Sequence, residues 1–431
     1  MTISTDSLVP VVVAATIALW ATRRLPEYLT GLLFFAAATI LALAPAGVIF
    51  SGFASSALWL VLSGFVIGAA IQKTGLANRI ARRMVPSLRG SYPRLVIGVV
   101  ALTYALAFVM PSNMGRIALL MPIVMALADQ AGLGIGDRGR FGLALAVGFG
   151  TFMLSTSILP ANVPNQVMAG AIETAYGLHL GYFPYLVLHA PVLGLVKGAL
   201  MAACLCLLFS SRPAWSASTE QPGPMSKAER RLGVLLLVTL ALWFTDTWHG
   251  IAPAWVGLAT ACLCLLPRVG FLTSEEFATS ANVRTLIYVA AILGLAALVA
   301  KSGLGERIGT VLIAHLPFDP QAPFRNFLAM TGLAVALNFV VTANGVPALY
   351  TPLANALASA SGFPLLTVLM IQVLGFSTVV LPYQAAPIVV AMEMGRVPVG
   401  PAVRFSLLLT AVTFVVVVPL DYLWFAALGK L

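Results

Sequence analysis

Lys73-Thr74-Gly75-Leu76-Ala77-Asn78-Arg79-Ile80 and Lys301-Ser302-Gly303-Leu304-Gly305-Glu306-Arg307-Ile308 are one motif written twice. Each copy follows an apolar run and precedes a pair of apolar arms, 95 to 128 in the first half and 324 to 360 in the second. The pairs are interrupted at Pro111-Ser112-Asn113 and at Thr342-Ala343-Asn344-Gly345. An arm of about 15 to 18 residues is short for a helical crossing, which takes about 20. Each pair is therefore predicted to be a re-entrant hairpin with its tip near the membrane midplane. Downstream, each half has a long apolar segment, 141 to 176 and 363 to 394, broken by a knot of prolines and amides. The knots read Leu159-Pro160-Ala161-Asn162-Val163-Pro164-Asn165-Gln166 and Leu381-Pro382-Tyr383-Gln384-Ala385-Ala386-Pro387.

The rest of the chain fits this frame. Of 431 residues 60% are hydrophobic and 9% charged, with a mean hydropathy of +0.99, which excludes a soluble enzyme. Simple spans are predicted near 9–22, 28–46, 56–72, 184–209, 231–247, 252–267, 284–300 and 403–428. The first, Val9 to Ala21, reads as a retained span, with no cleavage site of a signal peptide. Five full crossings separate the two Lys-x-Gly-Leu motifs, so the halves insert with opposite topology. The predicted fold is an all-α polytopic membrane protein of two inverted-topology repeats, each with a re-entrant helical hairpin and a broken transmembrane helix. The first half is 1–209, a cytoplasmic linker follows at 210–231, and the second half is 232–431.

The formal net charge of +10 would suit nucleic acid only if it were clustered on one solvated face. Here the basic residues punctuate apolar runs. With Met1 outside, 18 of them fall in inside loops, among them Arg23, Arg79, Arg82, Arg89 and Arg284, against four outside. That imbalance orients the chain with both termini outside.

The breaks are where chemistry is expected. A helix start presents unpaired N–H groups and the positive end of the macrodipole, so the second hairpin arms, from Met114 and Val346, suit an anion. Carbonyls freed at the knots, with the amides of Asn113, Asn165, Asn344 and Gln384, suit a small cation such as sodium. Arg116, three residues past Asn113, is a candidate fork for a carboxylate or sulfate, with snorkelling to the surface as the alternative. Lys197, near the middle of its span, either replaces a coupling cation or pairs with backbone carbonyls. The carboxylates place themselves in loops or near span ends, Glu393 and Asp421 being the most embedded, and none is expected at a tip or knot. His179, His189, His249 and His315 are expected in or beside outer loops, away from the knots. Cys204, Cys206, Cys262 and Cys264 lie two apart in apolar runs and are expected to pack. No hydrolase arrangement is present, and the chain is not read as an enzyme.

Ser112-Asn113 with the following helix ending in Leu120-Met121-Pro122-Ile123, Asn344 with Tyr350-Thr351-Pro352-Leu353, and Pro164-Asn165-Gln166-Val167 together resemble the divalent anion:sodium symporter (DASS) family of the ion transporter superfamily, over nearly the full length. The resemblance implies substrate contacts at Ser112, Asn113, Arg116, Asn344 and Gly345. It implies sodium contacts among Ser112, Asn113, Asn162, Asn165, Asn344 and Gln384, a homodimer, and a transport domain that moves as an elevator, in a bacterial inner membrane. The tips depart from the family's Ser-Asn-Thr: they read Ser-Asn-Met and Ala-Asn-Gly, and the second knot has Gln384 where an Asn-bearing loop is common. The family's first helix has no counterpart at the start of this chain. The expected function is sodium-coupled symport of a small anion, a dicarboxylate or sulfate. The alternatives are a cation/proton antiporter or metalloid exporter of the same superfamily, or a sodium-independent anion exchanger using Lys197.

Overall fold

The computed structural model describes residues 5–22, 24–76, 78–80, 83, 88, 90–215, 224–316 and 318–431. Arg23, Ala77, Arg82, Arg89 and positions 216–223 of the linker lie outside the described residues. Among the described residues all regular structure is helical. In the first half, α1 (Thr5–Thr22), α2 (Glu27–Ile40) and α3 (Ser56–Thr74) precede the hairpin arms α4 (Tyr92–Ala107) and α5 (Asn113–Gln130). The broken helix follows as α6 (Arg138–Met153) and α7 (Val163–Tyr176), then the long α8 (Tyr182–Phe209). In the second half, α9 (Lys227–Phe244), α10 (Pro253–Leu265) and the short α11 (Ser274–Ser280) lead into α12 (Val283–Lys301) and α13 (Leu304–Ile313). The second hairpin is α14 (Pro323–Val340) and α15 (Val346–Ser361); the second broken helix is α16 (Leu365–Phe376) and α17 (Ala386–Gly395); α18 (Val399–Ala427) is the long last helix.

Each half thus has a hairpin, a broken helix and a long helix in the same order, while the short α11 and α13 occur in the second half alone among the described residues. Among the described residues the helices long and apolar enough to cross a bilayer unaided are α3, α8, α12 and α18, which are the same two places in each half. The glycine of each repeated motif has a local reason: Gly75 at φ +77° and Gly303 at φ +68° take the left-handed conformation that ends α3 and α12. The long helices share a second device, a π-helical turn at Ala190–Val196 and at Thr413–Val417. Pro191 sits inside the first and Pro419 just after the second, where each removes an N–H from the ladder.

Packing agrees with opposite insertion. Lys197–Phe209 of α8 lies against Val399–Val412 of α18, while Ala190–Val196 lies against Val418–Ala427, so the two long helices run antiparallel. The exchange between halves is reciprocal: α5 packs on α17, and α7 packs on the start of α15. One apolar core joins both hairpins, both broken helices and both long helices. A second joins α1, α2, α3 and α12, with Val167, Ala171 and Ala348 as the points where the other body meets it.

One expectation is corrected. The arm after Asn113 does not end near Ile123: α5 continues to Gln130 with Pro122 inside it, because a helix tolerates one lost N–H where neighbours pack on it. Its counterpart does tighten, into a 3₁₀ turn at Thr351–Leu353. The described ends of the linker are strapped to the first half. Ala214 N–H donates to Ala131 O at 2.8 Å and Trp215 Nε1 to Gly90 O at 2.9 Å. At the far end Ser226 and Glu229 form a capping box for α9, and Arg79 of the first motif grips Glu229 through Nε (2.7 Å) and Nη2 (3.0 Å).

Candidate functional site

Each tip is bonded to the knot of its own half. Ser112 caps α5, its Oγ accepting from Gly115 N–H at 3.1 Å. Asn113 donates from Nδ2 to Asn162 Oδ1 (2.8 Å), and its own Oδ1 accepts from Ser155 Oγ (3.3 Å). In the second half Ala343 N–H donates to Gln384 O at 3.1 Å. Asn344 is half-buried at the tip, and Gly345 lines a narrow recess with Thr342, Tyr288 and Trp20.

Beside the first tip opens a cleft of about 610 Å³. Ser112, Met114 and Gly115 line it from the tip, Gly68 and Gln72 from α3, which packs on the tip, and Asn282 and Arg284 from the start of α12. The positive start of α5 therefore faces an opening that a small anion fits. Arg284 stands 5.6 Å from the Tyr28 ring centroid, a cation–π hold on the cleft side. The sequence placed Arg284 in an inside loop only as a topology marker; nothing in its local context pointed to the cleft.

Arg116 is fully buried and does not snorkel. Its Nη1 donates to Met110 O, and its Nη2 donates to Asn113 Oδ1, to Thr151 O at 3.1 Å and to Ala161 O at 3.1 Å. The two terminal nitrogens thus serve the tip amide and carbonyls at the hairpin turn, the end of α6 and the first knot, while the buried Nε–H is left without a partner. Lys197 does the equivalent in the second half. It is fully buried, and Nζ donates to Ser377 O (2.9 Å) and Ser377 Oγ (3.0 Å), where the second broken helix begins to unwind.

The carbonyls freed at the breaks, expected to suit sodium, each meet a donor of the protein itself. At the first knot Phe152 O accepts from Asn162 Nδ2, Thr156 O and Ile158 O from Asn165 Nδ2, and Pro160 O from Gln166 Nε2. At the second, Gly375 O accepts from Asn338 Nδ2 and Val379 O from Ser406 Oγ. An unmade hydrogen bond is costly in an apolar interior, so the protein supplies its own donors.

Side-chain amides complete the picture. Asn165 donates twice from Nδ2, which leaves its buried Oδ1 an unpartnered acceptor; Gln166 Oε1 and Asn338 Oδ1 are left likewise. Gln384 is the reverse. Its Oε1 accepts from Val380 N–H (2.8 Å) and Leu381 N–H (2.9 Å), so the unpartnered atom is Nε2, a donor. Backbone donors fix that orientation, and a donor suits an anion rather than the sodium expected there.

Asn338 and Gln166 were missed because an amide in an apolar run carries no sign of which backbone it will meet. His189 was misplaced. It lies fully buried in α8 with neither ring nitrogen hydrogen-bonded, its ring centroid 4.5 Å from that of Tyr185, whose hydroxyl donates to Thr156 O at 2.7 Å.

Residues 3–431 match the sodium:sulfate symporter transmembrane region. The chain is 24% identical over 340 residues to a membrane protein of Cupriavidus necator, covering 77% of this chain and 66% of that protein, so it spans just under two thirds of that relative. It is 24% identical over 395 residues to the L-tartrate/succinate antiporter of Escherichia coli K12, covering 87% of this chain and 79% of that one. The fold resembles the crystal structure of the Alcanivorax borkumensis YdaH transporter, of unusual topology, with a TM-score of 0.59 at 15% identity over 89% of this chain and 87% of that one. With tip, knot and whole-length match agreeing, this chain belongs to the sodium:sulfate symporter family, the DASS group of membrane transporters.

Proposed function

We propose that this protein is a secondary active transporter of a small dianion, a dicarboxylate or sulfate, which binds in the Ser112 cleft between the first hairpin tip and the frame of α3 and α12. The observation that carries this reading is the positive start of α5 opening into that cleft, with Arg284 on its wall and Arg116 buried beneath it. Ser112, Asn113, Asn344 and Gly345 stay the proposed substrate contacts, and Gln384 Nε2 joins them as a donor. The hairpins and broken helices move as an elevator against spans 28–72 and 252–300 of a homodimer, in a bacterial inner membrane with both termini outside.

For coupling, two tethered cations carry the argument. Arg116 and Lys197 stand at the two breaks where free sodium was expected, and each already holds carbonyl oxygen. On this reading transport is sodium-independent and runs as anion exchange, in keeping with the antiporter named among the relatives. Sodium symport is the second reading. It is favoured by the unpartnered acceptors Asn165 Oδ1 and Gln166 Oε1 and by the family's name.

Uptake of labelled succinate, tartrate and sulfate by proteoliposomes, with sodium inside, outside or absent and with or without internal anion, tests both. Uptake that needs internal anion and ignores sodium supports exchange. Uptake that needs inward sodium, weakened by Asn165→Ala, replaces it with symport. No uptake of any anion rejects the transport reading.

A further inference from the structure

Asp421 is the one buried carboxylate of α18, and neither of its oxygens has a hydrogen-bond partner. It is 1% exposed and lies just after the π-helical turn of α18, as Lys197 lies just after that of α8. Lys197 is the first residue past the π-turn of α8 and Asp421 the fourth past that of α18, on long helices that pack antiparallel with Ala190–Val196 against Val418–Ala427. Lys197 directly follows the α8 segment that packs on the turn of α18 carrying Asp421. The ammonium, however, gives its hydrogen bonds to Ser377 and not to the carboxylate.

Other groups around Asp421 are few. On α8 they are Lys197 and His189, the latter with its ring 6.1 Å from that of Phe425, one turn beyond Asp421, and Tyr185 behind it. α14, which also packs on this part of α18, brings Arg325, exposed and paired with Asp319 at 3.2 Å. On its own helix Tyr422 packs on Phe324 and Phe327. Lys197 is thus the one buried cation at hand.

We infer that Asp421 is a proton-binding site whose occupancy sets whether the charge of Lys197 is available to the substrate. This rests on the proposed dianion site. With Asp421 ionised, ammonium and carboxylate balance, and a dianion arriving at the tips adds uncompensated charge to a low-dielectric interior. A proton from the medium neutralises Asp421, and the charge of Lys197 is then free to compensate the anion. The path between them is short in structural terms: Ser377 opens the loop whose Gln384 carbonyl holds Ala343 at the second tip. When the anion leaves on the other side the proton leaves too, so net uptake is proton symport. Exchange of one anion for another needs no proton to move.

The experiment uses the full chain in proteoliposomes with the membrane potential clamped at zero and with whichever of succinate, tartrate or sulfate the wild type exchanges. An inward pH gradient of about one unit should drive accumulation in the wild type, up to roughly tenfold for one coupled proton. Asp421→Asn should show no pH-driven accumulation, while exchange persists and loses its pH dependence. As a measurement that needs no variant, anion added to purified wild type in weak buffer should take up one proton per site. Wild-type exchange with no proton uptake and no pH-driven accumulation overturns the inference and leaves the dianion site standing. Unchanged pH-driven accumulation in Asp421→Asn, or its loss in His189→Gln alone, also overturns it. Failure of the wild type to exchange any anion rejects the dianion site itself.

Discussion

Arg116 is the residue on which most of the first half's polar interior depends. Removing one partner of a buried, hydrogen-bonded charge costs about 3 to 5 kcal/mol, at least roughly a hundredfold in an equilibrium. Arg116→Ala also leaves Met110, Thr151 and Ala161 carbonyls without a donor. Transport should fall about a hundredfold or more, and Arg116→Lys, with a point charge in place of a planar fork, should recover only part. If the side chain acts as a tethered cation, guanidinium ion in the assay medium should partly restore uptake by Arg116→Ala. Near wild-type transport by Arg116→Ala without it would mean that the guanidinium does no more than fill space. The same logic applies to the tips. Asn113 both gives and accepts side-chain hydrogen bonds, so Asn113→Ala should abolish uptake. Asn344→Ala should do the same while leaving expression near normal, and wild-type uptake in either variant would reduce that tip to a turn.

Among the elements, the hairpins and broken helices were legible because turn-prone residues interrupt apolar runs at matching places in both halves. The partners inside them were not. Which amide meets which carbonyl depends on how α4, α6 and α7 pack, and Asn165 and Gln384 show that similar side chains at similar knots end with opposite free atoms. The linker gives the element scale its own test. Arg79 holds the Glu229 carboxyl down to about 2 from an ordinary 4.5, chiefly by hydrogen bonding, aided by Ser226 N–H. A carboxylate whose folded value is lowered adds stability that is complete above its unfolded value and is lost as pH falls through the folded one. Wild type should therefore melt above Glu229→Gln in detergent at pH 6 to 7, and the gap should close between about pH 4.5 and 2. An equal gap at every pH would show that the pair contributes nothing through charge.

Two main apolar cores meet on α3, one around α1, α2 and α12 and a larger one holding hairpins, broken helices and long helices. Relative motion of the two is the expected transport step. Paired cysteines introduced at Gly68 and Ser112, where α3 packs directly on the first tip and a Cβ on Gly68 would stand 3.6 Å from that of Ser112, should crosslink and stop transport reversibly. Free transport in the crosslinked protein would rule out motion at that boundary. The homodimer is tested by mass measurement in native-like lipid, where a monomer at all dilutions would remove it.

Periodic apolar runs and their interruptions determined that this chain is helical and membrane-spanning, and the twice-written motif predicts that it is doubled with opposite insertion. Hydrophobic length and turn chemistry are local properties that a sequence displays directly. The destination of each buried polar atom is not local. Arg116 joining three separated carbonyls, Lys197 reaching Ser377 some 180 positions away and Asp421 left without a donor are outcomes of packing between the halves. In a low-dielectric interior every such group must find its partner across space, and only the tertiary structure decides which one it meets.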